Sequence, residues 1–250
     1  MTTHAPRRRF LLGLALALPG LPALAQSLTE AQRAEVVEVL RRALREDPSI
    51  LREAMIALQH SEATAAADRQ RALLLAHADA LFREAADPVL GNPSGDVTIV
   101  EFFDVRCGYC KQMHPAMTAL LARDRGVRLV LKDLPILGPS SVVASRALLA
   151  SQRQGRYGAL HDALMRLNGE PSEAVLRVQA EHTGADWARL RRDMDDPSIQ
   201  RRIAANVALA QTLGIEGTPA LVVSGTHALV PGAVDLAALE RLVAESRAAS

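Results

Sequence analysis

The sequence predicts an α/β domain that carries a helical insertion and is preceded by an α-helical extension. Three observations point there. A strand, helix, strand pattern runs over residues 97–132, which closes as a right-handed crossover with a parallel strand pair. A helical stretch from about Ser140 to Leu213 separates that unit from a further strand at residues 220–223. Two amphipathic stripes lie between Thr29 and His60, far ahead of the first strand. The chain has 250 residues, 49% of them hydrophobic, enough for one core of roughly 150 residues and a smaller unit. Aromatic residues make up only 3% while alanine and leucine abound, so helix is expected to supply more of the core than strand.

Residues 1–25 read as a cleaved signal peptide. Arg7, Arg8 and Arg9 precede an apolar run from Phe10 to Leu18, and Ala23-Leu24-Ala25 is a small-x-small cleavage site. Pro19, Gly20 and Pro22 interrupt a run already shorter than the ~20 residues that span a bilayer. General secretion is the favoured route, although Arg7-Arg8-Arg9-Phe10-Leu11 also fits a twin-arginine signal. Cleavage removes three arginines and no acid, taking the formal charge from +1 to −2. No basic surplus is left to suggest a nucleic-acid partner.

Residues 26–60 follow as a helical segment. Thr29 is an N-cap with Gln32 reaching back to it. Val36, Val37, Leu40 and Leu44 make one apolar stripe, Asp47-Pro48 breaks the helix, and Ile50, Leu51, Ala54, Met55 and Leu58 make a second. Helices this short are marginal alone in water, so the stripes are expected to pack on the main domain or on other copies of the chain. Residues 61–87 read as a helical linker. Its first part, SEATAAADRQRA, has strong helix formers and almost no large apolar residue, and Leu73, Leu74, Leu75, Leu81 and Phe82 restore an apolar face before Asp87-Pro88.

The main domain is expected over residues 88–250. Turn formers at 91–96 lead into Val97-Thr98-Ile99-Val100-Glu101-Phe102-Phe103, apolar on both faces apart from Thr98 and Glu101, as in a central strand covered by helices. A helix from Cys110 to Arg123 and a strand from Val127 to Lys132 complete the crossover. The helical insertion occupies about 139–213, with breaks at Gly155, Gly169, Gly184 and Asp196-Pro197. A short strand near 228–230 and a helix from Asp235 to about Ser246 close the chain.

The chain has two cysteines, Cys107 and Cys110, three positions apart. In an oxidising compartment a structural disulfide normally closes a longer loop, because the entropic gain grows with loop size. A zinc site lacks enough further ligands, even counting His114. A c-type haem site needs histidine after the second cysteine, where Lys111 stands. Redox chemistry remains. Cys107, ahead of the helix, is expected to face its free N–H groups and positive dipole end, which favour thiolate over thiol. Cys110, one turn in, is expected to be more buried, so Cys107 attacks and Cys110 resolves. Pro115 sits inside the helix and bends it.

The run GNPSGDVTIVEFFDVRCGYCKQMHP resembles the active-site segment of DsbA-type proteins of thioredoxin fold, and KDLPILGPSSVVASRALLA, GIEGTPALVV and LVPGAVD are similar to later segments of that family. The preceding LREDPSILREAMIALQ resembles the N-terminal domain of ScsC, the suppressor-of-copper-sensitivity proteins. The resemblance implies a thioredoxin fold and a cis bond between Thr218 and Pro219 facing the cysteines. It makes Glu101 the family's buried acid, able to relay the proton of Cys110 with Lys132 as partner. Gly108-Tyr109 and the threonine before the proline resemble disulfide isomerases of the DsbC kind. Val105 departs from the tyrosine that relatives often carry there.

The function expected is a periplasmic disulfide isomerase or reductase acting on exported proteins, without a cofactor and kept poised by a membrane redox partner of unidentified kind. The resemblance implies a homotrimer through residues 29–60, with a dimer next. A dithiol oxidase of DsbA type is the near alternative. A copper-binding protein is the rival from another class, because Cys107, Cys110, Met113 and His114 bring soft ligands together in sequence.

Overall fold

The computed structural model describes residues 28–249. The expected signal peptide lies outside the described residues. The chain divides into two compact units, Met1–His60 and Ser61–Ser250.

In the first unit, helix α1 spans Glu30–Glu46. Its start is a reciprocal cap: the Gln32 N–H donates to Thr29 Oγ1 at 3.3 Å and the Thr29 N–H to Gln32 Oε1 at 2.9 Å. Helix α2 spans Ser49–Ala76, its residues from Ser61 onward belonging to the second unit, and begins after Asp47, whose Oδ1 accepts from the Ser49 N–H at 3.0 Å. No residue of α1 is buried. The apolar side chains of both stripes, from Leu44 at 39% to Leu58 at 58%, stand exposed.

In the second unit, helix α3 (Ala78–Phe82), strand β1 (Val89–Gly91) and strand β2 (Val97–Phe103) precede helix α4 (Gly108–Arg123) and strand β3 (Val127–Asp133). The insertion comprises α5 (Pro139–Gln152), α6 (Tyr157–Met165), α7 (Glu173–His182), α8 (Trp187–Asp193) and α9 (Pro197–Thr212). Strands β4 (Ala220–Val223) and β5 (Ala228–Pro231) and helix α10 (Leu236–Ala248) end the fold. The sheet order is β1-β3-β2-β4-β5. β2 and β3 pair in parallel, and the remaining pairs are antiparallel. The parallel pair brings the ends of β2 and β3 side by side, with Phe103 opposite Asp133.

Strand alternation divides the core into two. Ile99, Phe103, Leu129, Leu131, Leu221 and Val223 belong to the larger cluster, with residues of α4, α10 and helices α5 to α8. Val100, Phe102, Val130, Ala220 and Val222 belong to the smaller one, with Leu74, Leu81 and Leu213. Leu74 and Leu81 are fully buried, so the stretch read as a linker over 61–87 needs correcting. Its unbroken exposed part ends at Arg69, and beyond Gln70 the side chains of Leu73, Leu74, Leu81 and Phe82 pack on the smaller cluster while their neighbours stay exposed. Its leucines find apolar surface on a long-range neighbour, which local composition does not reveal.

Candidate active site

β2 delivers the chain to Asp104, which is almost wholly buried and shapes the turn ahead of the cysteines. Its Oδ1 accepts from the Arg106 N–H at 2.8 Å, and its Oδ2 accepts from the N–H groups of Ile136 and Leu137 at 3.0 and 3.1 Å. One carboxylate thereby joins the turn after β2 to the loop after β3. Its backbone carbonyl accepts from the Cys107 N–H at 2.9 Å, setting Cys107 as the N-cap residue of α4.

Both cysteines are free thiols. Cys107 is 7% exposed and Cys110 fully buried. The Cys107 side chain makes no capping bond to the helix N–H groups. Its Sγ instead donates to the Thr218 carbonyl at 3.1 Å. The Thr218–Pro219 peptide bond is cis. Between the cysteines, Tyr109 is 67% exposed, and a Cβ on Gly108 would have open space around it, so its glycine is not required by packing.

Burial, followed by the nearby Glu101 and Cys107, pushes the Cys110 thiol well above its ordinary range, while a backbone contact from Asp104 and the Thr218 side chain act against that shift. Thr218 therefore bears on both thiols, accepting from Cys107 with its carbonyl and easing the ionisation of Cys110 through its side chain. Glu101 is fully desolvated, and its carboxyl is pushed up to about 8, so it holds a proton at neutral pH. The expected pairing of Glu101 with Lys132 is absent. Glu101 lies opposite Leu131, and Lys132 lies opposite Phe102, so the two side chains leave opposite faces of the sheet. Lys132 forms a buried ion pair with Asp87. Both line a cavity of about 490 Å³ between α3, α5 and α9 that contains no cysteine.

Other groups around the site were not singled out in the sequence. His161 is buried with neither ring nitrogen hydrogen-bonded. It stacks on Tyr157 and meets Phe103 and His114 edge-on. Burial, with the neighbouring His114 adding to it, pulls it down to about 3. The Tyr157 hydroxyl donates to Asp133 Oδ2 at 3.0 Å, and burial pushes Asp133 up to about 7. Tyr157 and His161 are four apart, a helical spacing that marks a shared face, but nothing local says that the face is interior. Arg106 pairs with Glu170, and Lys111 Nζ donates to the Leu167 carbonyl at 2.6 Å, fastening the cysteine segment to the loop after α6.

Of the soft-ligand set, Met113 shares the larger core cluster with Cys107 and Cys110, and His114 Nε2 is bonded to Asp162 Oδ1 at 2.8 Å. Among the described residues, no group of three or more His, Cys, Asp or Glu side chains is arranged to hold a metal ion. Beside the Thr218–Pro219 turn runs a groove of about 320 Å³, lined by Gly214, Ile215, Gly217, Pro219, Leu229 and Pro231 among others. No helix among the described residues is long and apolar enough to cross a membrane.

Residues 98–244 match the DSBA-like thioredoxin domain. A thioredoxin-like oxidoreductase from Silicibacter pomeroyi DSS-3 is 45% identical with a TM-score of 0.66, covering 69% of this chain and 98% of that one. Proteus mirabilis ScsC in a transitional conformation is 31% identical with a TM-score of 0.66, covering 90% of this chain and 99% of that one. The Na(+)/H(+) antiporter NhaA 1 of Salinispora arenicola is 36% identical over 141 residues, 56% of this chain and 22% of the antiporter. The chain spans about a fifth of the length of the curated relatives it matches. The chain belongs to the DSBA-like thioredoxin domain family.

Proposed function

We propose that this chain is a periplasmic disulfide isomerase or reductase of exported proteins, with Cys107 as nucleophile and Cys110 as resolving thiol. The observation that carries the assignment of roles is the difference between the two sulfurs. Cys107 reaches solvent beside the Thr218 carbonyl, whereas Cys110 is sealed in the core and hard to ionise.

The Cys107 thiolate attacks one sulfur of a substrate disulfide. The old S–S bond breaks, its second sulfur leaves as a thiolate, and a mixed disulfide forms. Cys110 then gives up its proton and attacks Cys107, which oxidises the pair to a disulfide and leaves the substrate reduced by two electrons. In isomerisation a substrate thiolate attacks instead, and Cys107 is released unchanged. The neighbouring Glu101 carboxyl relays the Cys110 proton in the resolving step. The groove beside Pro219 accommodates an extended substrate segment.

The exposed stripes of residues 29–60 support a homo-oligomer, with a trimer favoured by the resemblance to ScsC. Val37→Glu with Leu40→Glu is expected to yield monomers by mass measurement. A membrane redox partner keeps the pair in its working state.

Scrambled and reduced ribonuclease distinguish the directions of exchange. Reactivation of the scrambled form supports the isomerase reading, and activity on the reduced form alone replaces it with a dithiol oxidase. Cys110→Ser is expected to accumulate the mixed disulfide, seen as a reducible adduct by mass.

A further inference from the structure

We propose that Gln70 is a positioning residue for thiol-disulfide exchange: from α2, its side-chain amide holds the Leu213 carbonyl at the root of the loop that presents Thr218 to both cysteines. The inference rests on the exchange function proposed for Cys107 and Cys110.

The last carbonyls of a helix have no intrahelical donor. Leu213 is the C-cap of α9, with its own N–H bonded to the Leu209 carbonyl at 2.9 Å. Its carbonyl is met from outside the helix by Gln70 Nε2 at 3.0 Å. Gly214 then turns the chain with a φ of +67°, a conformation that disfavours side chains. The Ile215 N–H closes the turn on the Ala210 carbonyl at 2.8 Å. Among the described residues, Glu216, Gly217 and Thr218 donate no backbone hydrogen bond. The far side is held by the Gly232 N–H on the Pro219 carbonyl at 2.8 Å.

The loop is therefore held by backbone bonds at its two roots, and between them Thr218 is held by its contact with Cys107 Sγ. Gln70 acts at the first root. One helical turn later, Leu74 is fully buried in the cluster that holds Leu213, Ile215 and Ala220. The same helix face thus grips the loop root by one polar and one apolar contact. Gln70 is also the first half-buried residue after the exposed stretch at 51–69. An exposed helix would accept many residues at that position, but this contact needs a donor on a side chain of glutamine's reach.

The test uses the mature full chain with Gln70→Glu, Gln70→Met and Gln70→Lys. Glutamate keeps the shape and removes the donor, methionine removes it without charge, and lysine restores a donor of similar reach. The readouts are KM and kcat for a fluorescent disulfide-linked peptide, the equilibrium constant of the cysteine pair with glutathione, and the thermal midpoint.

Loss of one neutral hydrogen bond is expected to raise KM about fivefold in the Glu and Met variants. The glutathione equilibrium shifts about two- to threefold with it, kcat changes less, and the thermal midpoint falls by only about 2–4 °C, a fall that lysine reverses. Lysine brings KM back toward the wild-type value. The proposal is overturned if the Glu and Met variants keep the wild-type KM and equilibrium constant. It is also overturned if their KM rises only with a fall in thermal midpoint that lysine does not reverse, because Gln70 would then be merely structural. A wild-type chain that fails to exchange with glutathone at all would instead overturn the exchange function, and this inference with it.

Discussion

Thr218 sets its backbone carbonyl 3.1 Å from Cys107 Sγ while its side chain reaches Cys110. The two contacts come from separate groups of one residue, so they can be separated by mutation. Thr218→Val keeps the carbonyl and removes the hydroxyl that eases ionisation of Cys110. Losing about 1 kcal/mol there slows resolution of a mixed disulfide roughly fivefold. Alkylation of Cys107 by iodoacetamide should stay at the wild-type rate. Quenched-flow measurement of the mixed-disulfide lifetime checks the prediction, and an unchanged lifetime would show that the hydroxyl does not matter.

Glu101 gives the fold a stability that declines with pH. Its folded value of about 8 lies above the ordinary carboxyl value of 4.5, so between those limits the folded state holds a proton that the unfolded chain has lost. The contribution is fully present below 4.5 and is lost as pH rises toward 8, by up to about 1.4 kcal/mol per pH unit. Glu101→Gln removes this slope. Urea unfolding at pH 5 and pH 8 should show the variant gaining on the wild type at the higher pH, and a constant difference would mean that Glu101 is solvated. The same variant should lengthen the mixed-disulfide lifetime if the carboxyl relays the Cys110 proton.

His161 has the opposite sign. Its folded value of about 3 lies below the ordinary 6.5, so the unfolded chain binds a proton that the fold excludes. Stability is lost as pH falls from 6.5 toward 3. His161→Phe keeps a ring against Phe103, Tyr157 and His114 and removes two buried nitrogens without partners. The variant is expected to be more stable by about 1–2 kcal/mol at pH 8, with the gap widening below pH 6.5. Denaturation midpoints across that range measure it.

Lys132 serves the other side of the sheet, so its loss should destabilise the fold without touching exchange. Lys132→Met leaves the buried Asp87 carboxylate with Arg202 Nε, 3.8 Å away, as its remaining charged partner, at a cost of about 3 kcal/mol. Adding Asp87→Leu should recover most of that loss in urea unfolding. Cys107 alkylation and peptide exchange are expected at wild-type rates in the folded variants. Slowed resolution in Lys132→Met would bring Lys132 back as a partner of Glu101.

The parallel pair of β2 and β3 was legible because two short, largely apolar runs flank one helical pattern within a short stretch. The Thr29 cap was legible because its partner lies three residues away. The cysteine pair was legible for the same reason, since spacing and residue type are local properties. Glu101 stood out as a lone charge in an apolar strand, yet the strand pattern did not say which neighbour it faces. Register decides that, and it places Leu131 opposite Glu101. The contact of Gln70 with Leu213 spans 143 positions and leaves no local mark in either segment.

Strand β1 (Val89–Gly91) went unread, but by itself the sequence determined the order of the elements from β2 onward, the chemical identity of the cysteine pair and the apolar stripes of the N-terminal helices. These follow from backbone preferences and side-chain periodicity, which act over a few residues. The tertiary structure alone decided which neighbours each face of the sheet receives, where Lys132 finds its anion and what holds the Thr218 loop. Those are differences in solvation and contact between segments far apart in the chain, and they exist only once the sheet has brought its two faces their separate neighbours.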